Sequence, residues 1–139
     1  MGPQAIVANL GMLMYCVEKG AKRLTREDVE SNEKARPLLA LGMDSTRYAF
    51  TGQGLVLMVS DAGARAAHLK KKIIKEWVKR RKHAEWARTM ADGAFSIVCI
   101  TGSYGKAKRL RTMMARYKDI RFDVVVFPEL NDLLHTGEE

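Results

Sequence analysis

The stretch FSIVCITGSYGKAKRLRTMMARY, which begins at Phe95, runs from an apolar segment through a Gly/Ser cluster into a basic, helix-like segment. A strand, a glycine turn and a helix N-terminus are the parts from which backbone amides build a phosphate cradle. A Walker A loop needs four residues between its glycines, followed by Lys and Ser/Thr. Here only Ser103 and Tyr104 separate Gly102 from Gly105, and Lys106 precedes Ala107. The dinucleotide-binding glycine pattern is absent as well. Two readings stay open: a tight βα connection that uses glycine for its backbone angles, or a single phosphate contact beside Lys106, Lys108 and Arg109.

A second group is the run Lys70, Lys71, Lys72, Lys75, Lys79, Arg80, Arg81 and Lys82, interrupted by one acid, Glu76. A solvated helix face ordinarily mixes signs, because Glu–Lys pairs four residues apart help it. Like charges in series fit either a plain wet surface or a polyanionic partner. From Ala62 to Lys118 sixteen Lys/Arg face three acids, a local +13, and the remaining residues carry eight against thirteen, or −5, which together give the net +8. The positive charge belongs to one segment, which favours nucleic acid first and an acidic protein or anionic membrane second. Lys70, Lys71, Lys75, Lys79, Arg80, Arg81 and Lys82 are the expected phosphate contacts, with Lys106, Lys108 and Arg109 as a second patch. Lysine outnumbers the fork-shaped arginine on this helix, so it should position backbone more than read bases. Trp77 and Trp86 fall half a turn out of phase on an ideal helix. Trp77 is expected in the core, and Trp86, the more exposed, is set to pack or to stack on a base.

The third group is acidic. Asp44 precedes a hairpin and Asp61 closes its second strand, places from which two carboxylates could share a divalent ion, with Glu27 or Glu30 completing the cluster. The competing reading makes them caps, and for Asp61 capping the long helix that follows is favoured. No metal ligand set emerges beyond that. His68, His83 and His135 have no partner at metal-ligand spacing, and Ser45, Ser60 and Ser103 have no nucleophile-elbow context. Cys16 and Cys99 sit in apolar runs and read as buried thiols. No cofactor is expected unless a divalent metal serves the acids.

The elements that must position these groups follow from periodicity. Ile6, Val7, Leu10, Leu13, Met14 and Val17 predict a helix from about Gln4 to Lys19, stopped by Gly20. Thr25 and Asp28 have capping-box spacing for a short helix, ended or interrupted by Pro37. Tyr48–Phe50 and Leu55–Val59 form a hairpin across Thr51–Gly54, and the consecutive apolar residues of the second arm suit a strand covered on both faces. Ala66, Leu69, Ile73, Trp77, Ala84, Ala87 and Met90 trace one face of a helix, about 45 Å long if continuous, or broken between Arg80 and His83, with Gly93 as its stop. FSIVCI is a buried strand, Ser103 caps a helix from Tyr104 to about Tyr117, and RFDVVVFP is a last strand ended by Pro128, before a helical turn at Leu130–Leu134. The result is a single α/β domain over residues 1–139, with an N-terminal helical part at about 4–36 and a core at about 40–139. Its fold class is a three-layer architecture, a mixed sheet with an antiparallel hairpin followed by parallel βαβ units with right-handed crossovers. No apolar run approaches the length of a membrane span and no charged n-region precedes an apolar h-region, so a cytoplasmic protein without a membrane partner is expected.

An aspartate before a hairpin, an apolar strand ending in an acid, a long helix, a strand and a basic helix: this order, carried by MDSTRYAFTGQGLVLMVSDAGARAAHLKKKI and FSIVCITGSYGKAKRL over roughly residues 40–130, resembles the nuclease-like domain of the replication-relaxation proteins of plasmids and mobile elements. The resemblance implies a restriction-endonuclease-like fold and a role on DNA, more than RNA, in plasmid replication or conjugative transfer, in some members as a metal-dependent nickase. Asp44 and Asp61 match the family's acids. Where such nucleases carry an acid, one residue and a lysine, this chain reads Val59-Ser60-Asp61-Ala62-Gly63, so the lysine is absent unless Lys70 or Lys71 replaces it. The leading expectation is a degenerate nuclease fold that binds nucleic acid without cutting it. The alternatives are a metal-dependent nuclease using Asp44 and Asp61, or an interaction module whose basic helix docks an acidic protein, with Met12, Leu13 and Met14 of the first helix as a homodimer contact or as ordinary core.

Overall fold

The computed structural model describes residues 2–31, 35, 37–38 and 45–136. Helix α1 (Pro3–Lys19) starts with proline at its first turn, where the missing N–H costs nothing. Gly20 closes it with a left-handed φ of 61°, its N–H shared between the carbonyls of Cys16 and Val17. A two-residue strand β1 (Lys22–Arg23) comes next, which periodicity could not reveal. Helix α2 (Arg26–Ser31) begins in a reciprocal box: Thr25 N donates to Asp28 Oδ2 at 2.8 Å and Asp28 N donates to Thr25 Oγ1 at 3.2 Å. The expected stop at Pro37 falls in a stretch of which only residues 35, 37 and 38 are described.

A 3-10 turn (Ser45–Arg47) leads into the hairpin of β2 (Tyr48–Thr51) and β3 (Gly54–Ser60), paired from Tyr48↔Leu57 to Thr51↔Gly54. Next come α3 (Ala66–Arg81), α4 (Ala84–Ala91), β4 (Phe95–Thr101), α5 (Tyr104–Met114), β5 (Phe122–Val126) and α6 (Pro128–Thr136). Pro128 does not merely end β5; it opens α6. The five strands lie in the order β1-β2-β3-β4-β5, antiparallel through β3 and parallel from β3 to β5. The mixed α/β sheet expected from the sequence is present.

Alternation along the central strands sorts the core into two layers. Leu55, Leu57 and Val59 of β3 with Phe95, Ile97 and Cys99 of β4 pack under α3 and α5, against Leu69, Ile73, Trp77, Ala107 and Leu110. Val56, Met58, Val98 and Ile100 face the other way, onto Val7, Met12, Tyr15 and Cys16 of α1 and Leu130 of α6. Covered on both faces, these strands read as unbroken apolar runs.

The long basic segment is two helices. Lys82 ends α3 and His83, extended at φ −102°, ψ 132°, starts α4. Neither Gly nor Pro breaks it. Trp86 supplies the reason: in a straight helix it would point opposite to Trp77, whereas after the break it is 0% exposed, edge-on to Phe95 with ring centroids 5.1 Å apart. Burying an indole removes on the order of 200 Å² from water, which outweighs the few helical bonds lost. Trp86 is therefore not the more exposed of the two tryptophans, and of the two roles open to it, packing and stacking on a base, it takes packing.

Arg80 is the second surprise of this corner, 2% exposed beneath the helix it belongs to. Its guanidinium donates to the Tyr48 hydroxyl and, through Nη1, to the Glu76 carbonyl (2.8 Å) and carboxylate (2.6 Å). Its Cζ lies 5.1 Å from the Trp86 ring, 5.5 Å from Tyr48 and 5.6 Å from Phe95, within cation–π range. Burial pushes the Glu76 carboxyl up, but the Arg80 hydrogen bond and charge, with Arg47 and Lys79 behind them, hold it below its ordinary value.

Removing one partner of a buried pair leaves the other unpaired, so Arg80→Ala should lower the unfolding free energy by about 3–5 kcal/mol. Arg81→Ala, which breaks only an exposed pair with Asp119 at 3.2 Å, should cost under about 1 kcal/mol; equal urea midpoints for the two variants would refute this role for Arg80. Because the folded Glu76 pKa is lowered, its stabilisation is complete above the unfolded value and fades as pH falls through the folded one. Glu76→Gln should flatten the acid limb of a stability–pH curve, measured by urea titration from neutral pH down through the carboxylate range.

Candidate functional site

Strands β3 and β4 end side by side, and the chain turns polar at both ends. Asp61 N donates to Ile100 O at 2.8 Å, carrying the parallel ladder one residue past β3. This fixes the Asp61 carboxylate at the C-terminal edge of the sheet, the edge at which open α/β sheets place their ligands. Its Oδ2 accepts from Thr101 Oγ1 at 2.8 Å and from Lys106 Nζ at 2.7 Å, and its Oδ1 accepts from Gly63 N at 2.9 Å. Thr101 closes β4, and its hydroxyl also accepts from Ser103 N at 3.1 Å. Lys106 reaches the carboxylate from the first turn of α5, whose start Ser103 caps by accepting from Lys106 N at 3.1 Å. Asp61 and Thr101 are buried, and the Lys106 side chain is 18% exposed.

This arrangement changes three expectations. Asp61 does not cap the long helix: the residue before α3 is Arg65, with no side-chain cap, and Asp61 closes its own turn through Gly63 while pinning α5 to the sheet. Lys106 is turned inward onto Asp61 and is not part of an outward phosphate patch. The amine beside the acid comes from α5, not from Lys70 or Lys71. Asp44 lies outside the described residues. Glu27 is exposed and Glu30 pairs with Arg26 at 3.7 Å. Among the described residues no three His, Cys, Asp or Glu side chains gather to hold a metal ion.

Gly102 is explained by proximity: a Cβ there would run into the backbone of Asn131 in α6. It is a close-approach glycine, whereas a Cβ on Gly105 would make only an ordinary contact, with the Ser103 hydroxyl oxygen at 3.9 Å. Cys99 lies in β4 behind the cluster. Burial, reinforced by the Asp61 charge against Lys106 and Lys72, pushes its thiol up to about 12, which leaves it protonated and inert. Burial also raises Cys16, whose Sγ sits 4.0 Å from the Met58 sulfur.

The basic surface lies on the outer side of the helical layer formed by α3 and α5. With Leu69, Ile73 and Trp77 inward, helical spacing turns Lys71, Lys75, Lys79 and Lys82 outward, and all four are exposed. Lys108 and Arg109 are exposed on the neighbouring α5. None of these six forms an ion pair among the described residues, whose pairs are Lys22–Asp28, Arg26–Glu30, Arg80–Glu76, Arg81–Asp119 and Lys106–Asp61. Lys70 is half-buried, its Nζ 6.0 Å over the Tyr117 ring. Arg80, expected among the phosphate contacts, is in the core, and Arg81 is held by Asp119. At the start of the same layer Lys72 and Arg47 line a groove of about 320 Å³ with Ser60 and Met58. Arg47 Nη2 is buried there with no hydrogen-bond partner among the described residues. Nothing in the sequence near Arg47 signals this, since the groove is assembled from α1, β3 and α3. No helix among the described residues is long and apolar enough to cross a membrane.

Comparison with protein-family models, with curated proteins and with solved structures gives no match for this chain.

The Asp61–Lys106 pair predicts non-additivity. Lys106→Met strands a buried carboxylate and Asp61→Asn strands an ammonium, so each should cost about 3–5 kcal/mol, and the double variant should recover part of the loss. Additive losses in urea unfolding would show that the two side chains do not act as a pair.

Proposed function

We propose that the protein binds nucleic acid by its phosphate backbone, across the outer surface of α3 and α5. The observation that carries this reading is a set of six exposed cations that form no ion pair among the described residues: Lys71, Lys75, Lys79 and Lys82 on one helix and Lys108 and Arg109 on the next. Like charges held on adjacent rigid helices repel one another, and a polyanion relieves that repulsion. Binding neutralises phosphates and releases their counterions, which supplies the driving force. The lysine ammonium is a point charge without the two-pronged geometry that reads guanine, so the surface favours backbone over sequence.

DNA is the expected polymer, in the setting of a plasmid or mobile element, on the resemblance to the replication-relaxation proteins. The chain's antiparallel hairpin followed by two parallel strands, with helices on both sides of the sheet, supports the reading at the level of an α/β architecture, and the restriction-endonuclease-like core is what that resemblance implies. The reading is one of binding without hydrolysis, because the carboxylate that would hold a metal is already bonded to Lys106 and Thr101.

The test is binding to a short labelled duplex and to its single strand across a salt series, with and without manganese. Log affinity should fall linearly with log salt, by about 0.9 per phosphate contacted on a duplex, so Lys75→Ala with Lys79→Ala should flatten the slope by about 1.8. A salt-independent affinity, or none at low salt, would defeat the proposal in favour of an acidic protein partner. Manganese-dependent cleavage lost in Asp61→Asn would replace it with a nuclease.

A further inference from the structure

The side of the molecule away from the basic layer carries a different signal. Helix α1 is apolar on two opposite faces. Val7, Met12, Tyr15 and Cys16 are buried against the sheet, while Ile6, Leu10, Leu13 and Val17 point outward, with exposures of 54%, 37%, 50% and 83%. Leu133 of α6, the helix beside it, adds another exposed apolar side chain at 43%. A helix apolar on both faces is normally covered on both. Of the run Met12–Leu13–Met14, open from sequence as a homodimer contact or as ordinary core, Met12 is buried and Met14 packs against the core, while Leu13 stands out.

The outward stripe has a symmetry of its own. Its spacing, Ile6 to Leu10 to Leu13 to Val17, is four, three and four residues and reads the same in both directions. The residue types mirror as well, with β-branched side chains at the two ends and leucines at the two inner positions. A two-fold axis across the helix between Leu10 and Leu13 would bring Ile6 onto Val17 of a second copy and Leu10 onto Leu13. This is the self-complementarity that an isologous contact requires, on the alternating three-four spacing that lets helices pack side by side.

Size and charge agree with such an occupant. Helix α1, about 25 Å long, together with the width of α6 offers about 500 Å² per copy, or about 1,000 Å² in a pair, the lower bound for a specific interface. No charged residue lies on the stripe, and the six cations of the α3 and α5 surface lie on the far side of the sheet. Pairing through α1 therefore keeps the two basic layers apart, where their repulsion is weakest.

We infer that the chain forms a two-fold homodimer by antiparallel packing of α1 on α1 through Ile6, Leu10, Leu13 and Val17. The dimer presents two basic surfaces facing opposite ways, an inference independent of what those surfaces bind.

The experiment is sedimentation equilibrium at micromolar chain concentration. The native protein should have twice the 15.6 kDa mass of the chain. Leu10→Glu and Leu13→Lys should each be monomeric with unchanged far-UV circular dichroism, and with a lower thermal midpoint that no longer depends on concentration, because subunit association stabilises the folded chain. Mixed in equal amounts they should dimerise again, because the dyad then places Glu on Lys in one contact and Leu on Leu in the other. A native monomer, a dimer that survives both substitutions, or a mixture that stays monomeric would each overturn the inference.

Discussion

A guanidinium sits where this fold should be driest, and the corner around it takes its shape from that charge. Arg80 comes from the last turn of α3, yet its partners belong to three other elements: the Tyr48 hydroxyl on β2, the Trp86 ring on α4 and the Phe95 ring on β4. Taking such a charge out of water costs several kcal/mol, so the surrounding groups must supply hydrogen bonds and ring faces at the right distances. Glu76, one turn earlier, cancels the charge. These demands fix the end of α3 over the hairpin and fold α4 back beneath it. Trp86 then closes the cluster. Without it the guanidinium would lose its nearest ring and Phe95 its edge-on neighbour.

The second buried ion pair acts at the other end of the same layer. Asp61 and Lys106 join the end of β3 to the start of α5, with Thr101 of β4 bonded to the same oxygen. The two pairs hold the helical layer near both ends of α3, one through a carboxylate at the sheet's C-terminal edge and one through the aromatic corner. Both consume cations that a count of charge along the chain would assign to the surface. What remains outside is a smaller, unneutralised set whose positions are set by the rigid packing of α3 and α5.

The two faces of the molecule divide the physics between them. The α3/α5 layer carries the charge and suits long-range, salt-sensitive attraction. The α1/α6 layer carries exposed apolar side chains and suits short-range association, whose strength scales with area removed from water. The five-strand sheet between them, apolar on both sides, keeps the two surfaces chemically separate.

The central strands were legible because a strand covered on both faces must be a continuous apolar run, which the two-residue β1 is not, and the capping box at Thr25–Asp28 and the stop at Gly20 were legible because local backbone bonding dictates them. The surplus of charge between Ala62 and Lys118 was likewise a property of the chain alone. Periodicity could not see which of those charges turn inward, because Arg80 and Lys106 are buried by partners 32 and 45 residues away in sequence. It offered a break between Arg80 and His83 only as one of two readings, because no local residue demands it, and the burial of Trp86 goes with the broken form. For Asp61, local pattern offered capping or metal binding; the residue before α3 is Arg65, and a lysine from a later helix meets the Asp61 carboxylate. On α1 the sequence held two apolar faces without ranking them. The sheet took Val7, Met12, Tyr15 and Cys16 and left Ile6, Leu10, Leu13 and Val17 outside, because which side of a helix meets the core depends on how it is docked and not on its own spacing.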